Sequence, residues 1–162
     1  MRVNHSFKSF YNNDSEILIL GSFPSVKSRE KSFYYMNKTN RFWKVLGILF
    51  DDDFENENII RKKELLSKYK IALYDVIEEC EIIGSSDSSI KNVKPIDLQK
   101  IIDESNIKKI FINGATAYKY FEKYFKEYLN MCTKLPSTSA ANAKMKIDDL
   151  LKQWSIIKIK MH

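Results

Sequence analysis

The sequence predicts an α/β fold: three layers, α/β/α, around a central four-stranded parallel sheet, in one domain spanning residues 1–162. Three observations carry this expectation. Four short apolar runs have the length of buried strands: Glu16–Gly21, Ile71–Val76, Lys108–Asn113 and Met131–Pro136. Longer stretches of helical periodicity separate them, and strands alternating with helices imply a parallel sheet covered on both faces. The few glycines and prolines fall just after strand ends, where small residues let a ligand approach the backbone.

Each element has its own signature. The first strand, Glu16–Gly21, runs into the loop Gly21-Ser22-Phe23-Pro24-Ser25. Asn40–Phe50 reads as a helix, and Asn40 is a residue type favoured at helix N-caps. The acidic stretch Asp51–Glu57 reads as a solvated loop and helix start, followed by a helix over Glu57–Tyr69. Ile71–Val76 forms the second strand; Asp75, near its end, is assigned a structural role. Gly84–Ser89 is a serine-rich loop, and Ile96–Ser105 a helix. Lys108–Asn113 is the third strand, closed by the Asn113-Gly114 turn. In the helix Ala115–Tyr128, residues Ala117, Phe121, Phe125 and Tyr128 share one face and pack the core. Met131–Pro136, the fourth strand, leads into Leu135-Pro136-Ser137-Thr138-Ser139. A last helix covers Ala141–Trp154, with Ser139 as its cap. The apolar tail Ile156–Ile159 fits a fifth strand or a helix end.

Composition excludes several classes. With 4 Gly and 3 Pro in 162 residues, collagen-like and linker-like readings fall away. The longest apolar runs, such as Val45–Phe50, are far shorter than the roughly 20 residues of a membrane span, so no membrane partner is expected. Met1–His5 has no apolar signal-peptide core. The 2 cysteines, Cys80 and Cys132, cannot form a disulfide framework or a four-thiolate cluster, and reduced thiols point to a cytoplasmic protein. No His/Cys/Asp/Glu group has ligand spacing, so neither a metal nor another cofactor is expected. Lys and Arg total 27 against 21 Asp and Glu, a net charge of +6. Between Lys27 and Leu46 stand Lys27, Arg29, Lys31, Lys38, Arg41 and Lys44 against Glu30 alone, with Phe33, Tyr34, Tyr35, Phe42 and Trp43 interleaved. Such a stretch suits phosphate neutralisation with base stacking; it equally suits a solvated basic face over core aromatics.

Four colinear motifs resemble the uracil-DNA glycosylase superfamily, closest to its hypoxanthine-DNA glycosylase branch. They are Ile19-Leu-Gly-Ser-Phe-Pro-Ser25; Phe33-Tyr-Tyr35 with Asn40-Arg-Phe-Trp-Lys44; Ala72-Leu-Tyr-Asp-Val-Ile77 leading into Gly84-Ser-Ser-Asp-Ser-Ser-Ile90; and Leu135-Pro-Ser-Thr-Ser-Ala-Ala-Asn-Ala143. His5-Ser-Phe7 is similar to the family's opening. The first loop lacks the Asn or Asp that other branches use there for the attacking water, and position 140 is Ala where the branch has Pro. The resemblance implies the family's three-layer fold and a monomeric, monofunctional enzyme without cofactor. It would act on double-stranded DNA containing a deaminated base, hypoxanthine first and uracil second. A uracil or mismatch glycosylase and a non-catalytic DNA-binding module are the alternatives.

The resemblance also distributes roles. An enzyme that cleaves a base from a duplex must flip it into a pocket. The dissociative transition state calls for electrostatic stabilisation and one placed water. That water falls to Asn40, whose plain alternative is helix capping. The base pocket takes Ser22, Phe23 and Ser25, whose N–H groups can face the base, together with Tyr35 and Asn113. Phe23 or Tyr35 stacks on the base; core packing is the alternative for both. Asn113 has a turn beside Gly114 as its alternative. DNA contacts are assigned to Lys27, Arg29, Lys31, Arg41 and Lys44, and to Ser137, Thr138, Ser139, Ala140 and Ala141, the two alanines as a small wedge in the base stack.

Overall fold

The structure, a computed structural model, describes residues 2–159. Four strands form the parallel sheet: β2 (Ile17–Gly21), β3 (Ile71–Asp75), β6 (Lys109–Asn113) and β7 (Cys132–Leu135), in the order β3-β2-β6-β7. The chain starts at β2, moves to β3 on one side, then crosses back to β6 and β7 on the other. That reversal leaves a crevice at the carboxyl end of β2.

Side chains alternate across the sheet. Ile17 and Ile19 of β2, Ile71, Leu73 and Phe111 face one layer, built by α2 (Phe42–Phe50), α3 (Ile59–Lys68) and α6 (Ile147–Trp154) through Val45, Leu46, Leu65, Leu150 and Trp154. Leu18, Leu20, Ala72, Ile110 and Ile112 face the other, which holds α4 (Leu98–Asp103) and α5 (Ala115–Tyr124). All five residues of β2 are buried. The three-layer α/β arrangement follows from this double covering.

A small antiparallel sheet, absent from the sequence expectations, joins β1 (Arg2–Asn4), β4 (Ile77–Glu81) and β5 (Lys91–Pro95) in the order β1-β4-β5. Its strands are polar and held partly by ion pairs, Arg2–Glu79 at 2.9 Å and Lys94–Glu78 at 3.3 Å, so no apolar run announces it. The helix α1 (Val26–Lys31) was likewise unsignalled; Ser25 caps it, its Oγ accepting from Ser28 N at 3.1 Å.

Two helices are shorter than their periodicity predicts. The segment Ala115–Tyr128 is α-helical to Tyr124 and continues as a 3-10 helix over Lys126–Met131. The last long helix starts at Ile147 rather than Ala141. Ser139 therefore does not cap it: its Oγ accepts from Ala141 N at 3.1 Å within an irregular loop. The tail Ile156–Ile159 is a helix, α7, and not a fifth strand. No helix among the described residues is long and apolar enough to cross a membrane.

Candidate active site

A cleft of about 440 Å³ opens at the carboxyl ends of the parallel strands. Gly21 ends β2, Asp75 ends β3, Asn113 ends β6, and the loop after β7 supplies Ser137–Ala141; all line it. Ser22–Ser25, Tyr34, Tyr35, Asn40 and the Ser85–Ser88 loop complete its walls. Asn40 and every residue assigned to the base pocket therefore meet in one place, together with Asp75, to which the sequence assigns a structural role.

Asn40 lines the cleft and stands one residue before Arg41, the N-cap of α2, so it is not the cap its position suggests. Its Oδ1 accepts from Phe42 N at 2.9 Å, closing the start of α2, and from Thr138 Oγ1 at 2.8 Å. Both lone pairs of the carbonyl are thereby used. Its Nδ2 has no acceptor among the described residues and is left to the cleft. The helix start thus engages only one end of the carboxamide.

Thr138 is the centre of this network, not a DNA contact. It is fully buried. Its N–H donates to Asn113 Oδ1 at 3.0 Å, and its hydroxyl accepts from Asn113 Nδ2 at 3.0 Å while donating to Asn40. No group of Thr138 remains for a phosphate. The Asn113 amide, expected at the base edge, spends one N–H and one lone pair on this threonine and lines the cleft.

Arg41 departs further from its expected role. Its guanidinium donates to the carbonyls of Thr138 at 3.3 Å, Ser139 at 2.9 Å and Asn142 at 3.2 Å, and to that of Met145. Four of its five N–H groups are occupied. Arg41 is a clamp on the 138–145 loop, and two of the carbonyls it captures, those of Asn142 and Met145, are ones a helix from Ala141 would need. Arg29 is similarly engaged with Gly84 O at 2.7 Å, and its guanidinium lies 5.6 Å from the Phe23 ring centre. Lys31 and Lys44 are exposed, as is Lys27, whose Nζ lies 3.5 Å from Glu30. Ala140 and Ala141 are exposed on the cleft rim; Ser137 Oγ accepts from Ser139 N at 3.1 Å.

Tyr35 adopts a left-handed backbone, φ 54°, unusual for a bulky residue. Trp43 Nε1 donates to the carbonyls of Tyr34 and Tyr35, both at 3.1 Å, and the Tyr35 ring stacks on Phe42 with centres 4.0 Å apart. One face of Tyr35 is therefore taken. Its hydroxyl is buried with no well-formed hydrogen bond among the described residues, and burial, reinforced by the nearby Asp75 charge and partly offset by the Asn113 amide, pushes its pKa well up. Phe23 lines the cleft and is buried, with the His5 ring edge-on at 6.0 Å.

Two functional candidates escaped sequence reasoning. His5 Nε2 lies 2.8 Å from Asp75 Oδ2, the His5 side chain fully buried and that of Asp75 6% exposed. The continuous apolar run of β3 hid Asp75 as a mere strand end. His5 lies 70 residues away, so only its place in the opening motif could have marked it. Nearby, Ser22 Oγ donates to Asp87 at 3.1 Å; the surrounding protein raises the Asp87 pKa, partly offset by that hydrogen bond.

Comparison with known proteins gives a consistent result. Residues 8–158 match the model of the Uracil DNA glycosylase superfamily. A protein named hypoxanthine DNA glycosylase from Methanosarcina barkeri is 32% identical over 115 residues, 70% of this chain and 73% of that protein. One of the same name from Methanosarcina acetivorans is 30% identical over 143 residues, 88% of this chain and 90% of that one. A solution NMR structure from M. acetivorans, carrying a provisional uracil DNA glycosylase name, superposes with a TM-score of 0.85 at 27% identity over the full length of both chains.

Proposed function

Because the chain belongs to the uracil DNA glycosylase superfamily, we propose that it removes a deaminated base from double-stranded DNA, hypoxanthine first and uracil second. It hydrolyses the N-glycosidic bond of the flipped nucleotide and leaves an abasic site, acting as a monofunctional monomer without metal. The observation that carries this reading is the free Nδ2 of Asn40, fixed in the cleft by bonds to the other end of its carboxamide.

The hydrogen bonds of Asn40 support a donor role toward the attacking water. With its oxygen saturated, Asn40 donates an N–H to the water and cannot accept from it. A donor of this kind holds the water oxygen in place while one lone pair stays free to attack C1′. The transition state is largely dissociative, so placement matters more than basicity. The main-chain N–H groups of Ser22 and Phe23 stand at the cleft wall without acceptors among the described residues and suit the developing charge on the leaving base. Exposed Lys27, Lys31 and Lys44 supply the attraction to phosphates, and Ala140 and Ala141, exposed on the cleft rim, act as the small wedge in the stack.

The test is base excision on duplexes carrying one hypoxanthine, uracil, xanthine or mismatched thymine, with alkali cleavage of the abasic product. Strand cleavage at hypoxanthine, and more weakly at uracil, is expected. Cleavage at uracil or mismatches alone would favour the uracil or mismatch reading. Tight duplex binding with no cleavage of any substrate would leave only a binding module.

A further inference from the structure

The cleft floor holds a buried pair that water placement does not use. His5 Nε2 contacts Asp75 Oδ2 at 2.8 Å. The imidazole is wedged between Phe7 and Tyr74, ring centres 4.5 and 4.7 Å away, and its backbone N–H is bonded to Glu78 O at 2.6 Å. The carboxylate is thereby held in one orientation. Its second oxygen, Oδ1, has no hydrogen-bond partner among the described residues, and Asp75 lines the cleft. A Cβ on Gly21 would stand 2.6 Å from Oδ1, so only glycine allows the carboxylate so close to the β2 loop. The N–H groups of Ser22 and Phe23, which follow Gly21 along the cleft wall, have no acceptor among the described residues.

The floor therefore offers an oxygen that only accepts together with main-chain groups that only donate. The matching ligand edge is a ring N–H adjacent to a carbonyl, a lactam. Hypoxanthine presents it as N1–H and C6=O, and uracil as N3–H and C4=O. Adenine and cytosine present the reverse: an unprotonated ring nitrogen beside an amino group. Against this floor their lone pair meets a carboxylate and their N–H meets an N–H, leaving buried groups unpaired.

We infer that Asp75 is the specificity-determining residue of the cleft, its Oδ1 accepting the ring N–H of a lactam base, and that His5 is the positioning residue that aims it. The inference rests on the glycosylase reading above. It gives one physical reason why a single cleft takes a deaminated purine and a deaminated pyrimidine and rejects the parent of each. Sites built to pair a polar group reject analogues lacking it far more strongly than apolar pockets do.

Single-turnover excision from duplexes tests this with wild-type protein first. 2′-Deoxynebularine carries purine, the size of hypoxanthine but with an unprotonated N1 and no carbonyl. Hypoxanthine should leave at least about a hundredfold faster than purine; equal rates would overturn the inference. In Asp75→Asn, whose amide can donate to a bare ring nitrogen, the hypoxanthine-to-purine ratio should fall at least about tenfold. His5→Phe should lower the ratio in the same direction, His5→Gln should restore part of it, and the double variant Asp75→Asn, His5→Phe should add little to Asp75→Asn alone. A purely structural His5 would change stability and leave the ratio alone. An unchanged ratio in a folded Asp75→Asn protein overturns the inference while the glycosylase reading stands. Absence of excision by wild-type protein overturns both.

Discussion

Asn40 presents the two ends of one carboxamide to different surroundings. The oxygen accepts from Phe42 N at the start of α2 and ties Thr138, and the nitrogen is left to the cleft for the proposed water. The two ends separate by mutation. Asn40→Asp keeps an acceptor oxygen for Phe42 N and Thr138 Oγ1 and should melt near the wild-type temperature, since Asp accepts at a helix start about as well as Asn. It has no N–H to give the water, so its single-turnover rate should fall at least about a hundredfold. Asn40→Ala should lose the rate and also about 1 kcal/mol of stability. An active Asn40→Asp protein would move water placement to another group. Gly21 carries a second prediction. A methyl there would stand 2.6 Å from Asp75 Oδ1 and 3.0 Å from the Tyr35 hydroxyl. Gly21→Ala should therefore cost at least about tenfold in excision, from displacement of groups fixed to within about an ångström, with duplex affinity retained in a binding assay.

The strands were readable because each is a short apolar run with punctuation at its end. The loop from Pro136 to Lys146 was not, because alanines and alternating polar residues there have helical periodicity that Arg41 overrides from about a hundred positions away. Periodicity reports what a segment can do alone; here a guanidinium competes successfully for its carbonyls. Arg41→Ala should lower stability by about 2 kcal/mol, as expected for lost charge-assisted hydrogen bonds, and speed proteolytic nicking between Ser137 and Met145. A second tie joins the ends of α2 and α3. Asp52 accepts from the Tyr69 hydroxyl at 2.8 Å and from Lys68 at 3.1 Å, and these bonds lower its pKa below the ordinary 3.8. A carboxylate whose folded-state pKa is depressed stabilises the fold above its unfolded-state pKa and loses that contribution as pH falls through the folded-state value. Wild type should therefore lead Asp52→Asn in denaturant midpoint at neutral pH, and the lead should shrink below about pH 4.

The chain's excess of 6 positive charges gains direction from the structure. Arg29 and Arg41 are committed to carbonyls, so the charges free to meet phosphates are lysines such as Lys31 and Lys44. Lys44→Ala should lower the slope of log affinity against log salt by about 0.9, whereas Arg41→Ala should leave the slope nearly unchanged. Titrations of a labelled duplex at several salt concentrations distinguish the two. Basic residues in a row are visible in any sequence; which of them are already bonded depends on contacts far along the chain. The hydroxyl of Thr138 extends this point. It anchors Asn40 from 98 residues downstream. During synthesis, β2, Asn40 and β3 leave the ribosome well before residue 138 exists, and folding of such distant contacts waits for the chain that makes them. A chain that stops short of residue 138 can gather part of the sheet and keep the local bond from Phe42 N to Asn40, but the amide then lacks its second anchor. Under the proposed reading, such a fragment should excise bases poorly even where its strands have paired.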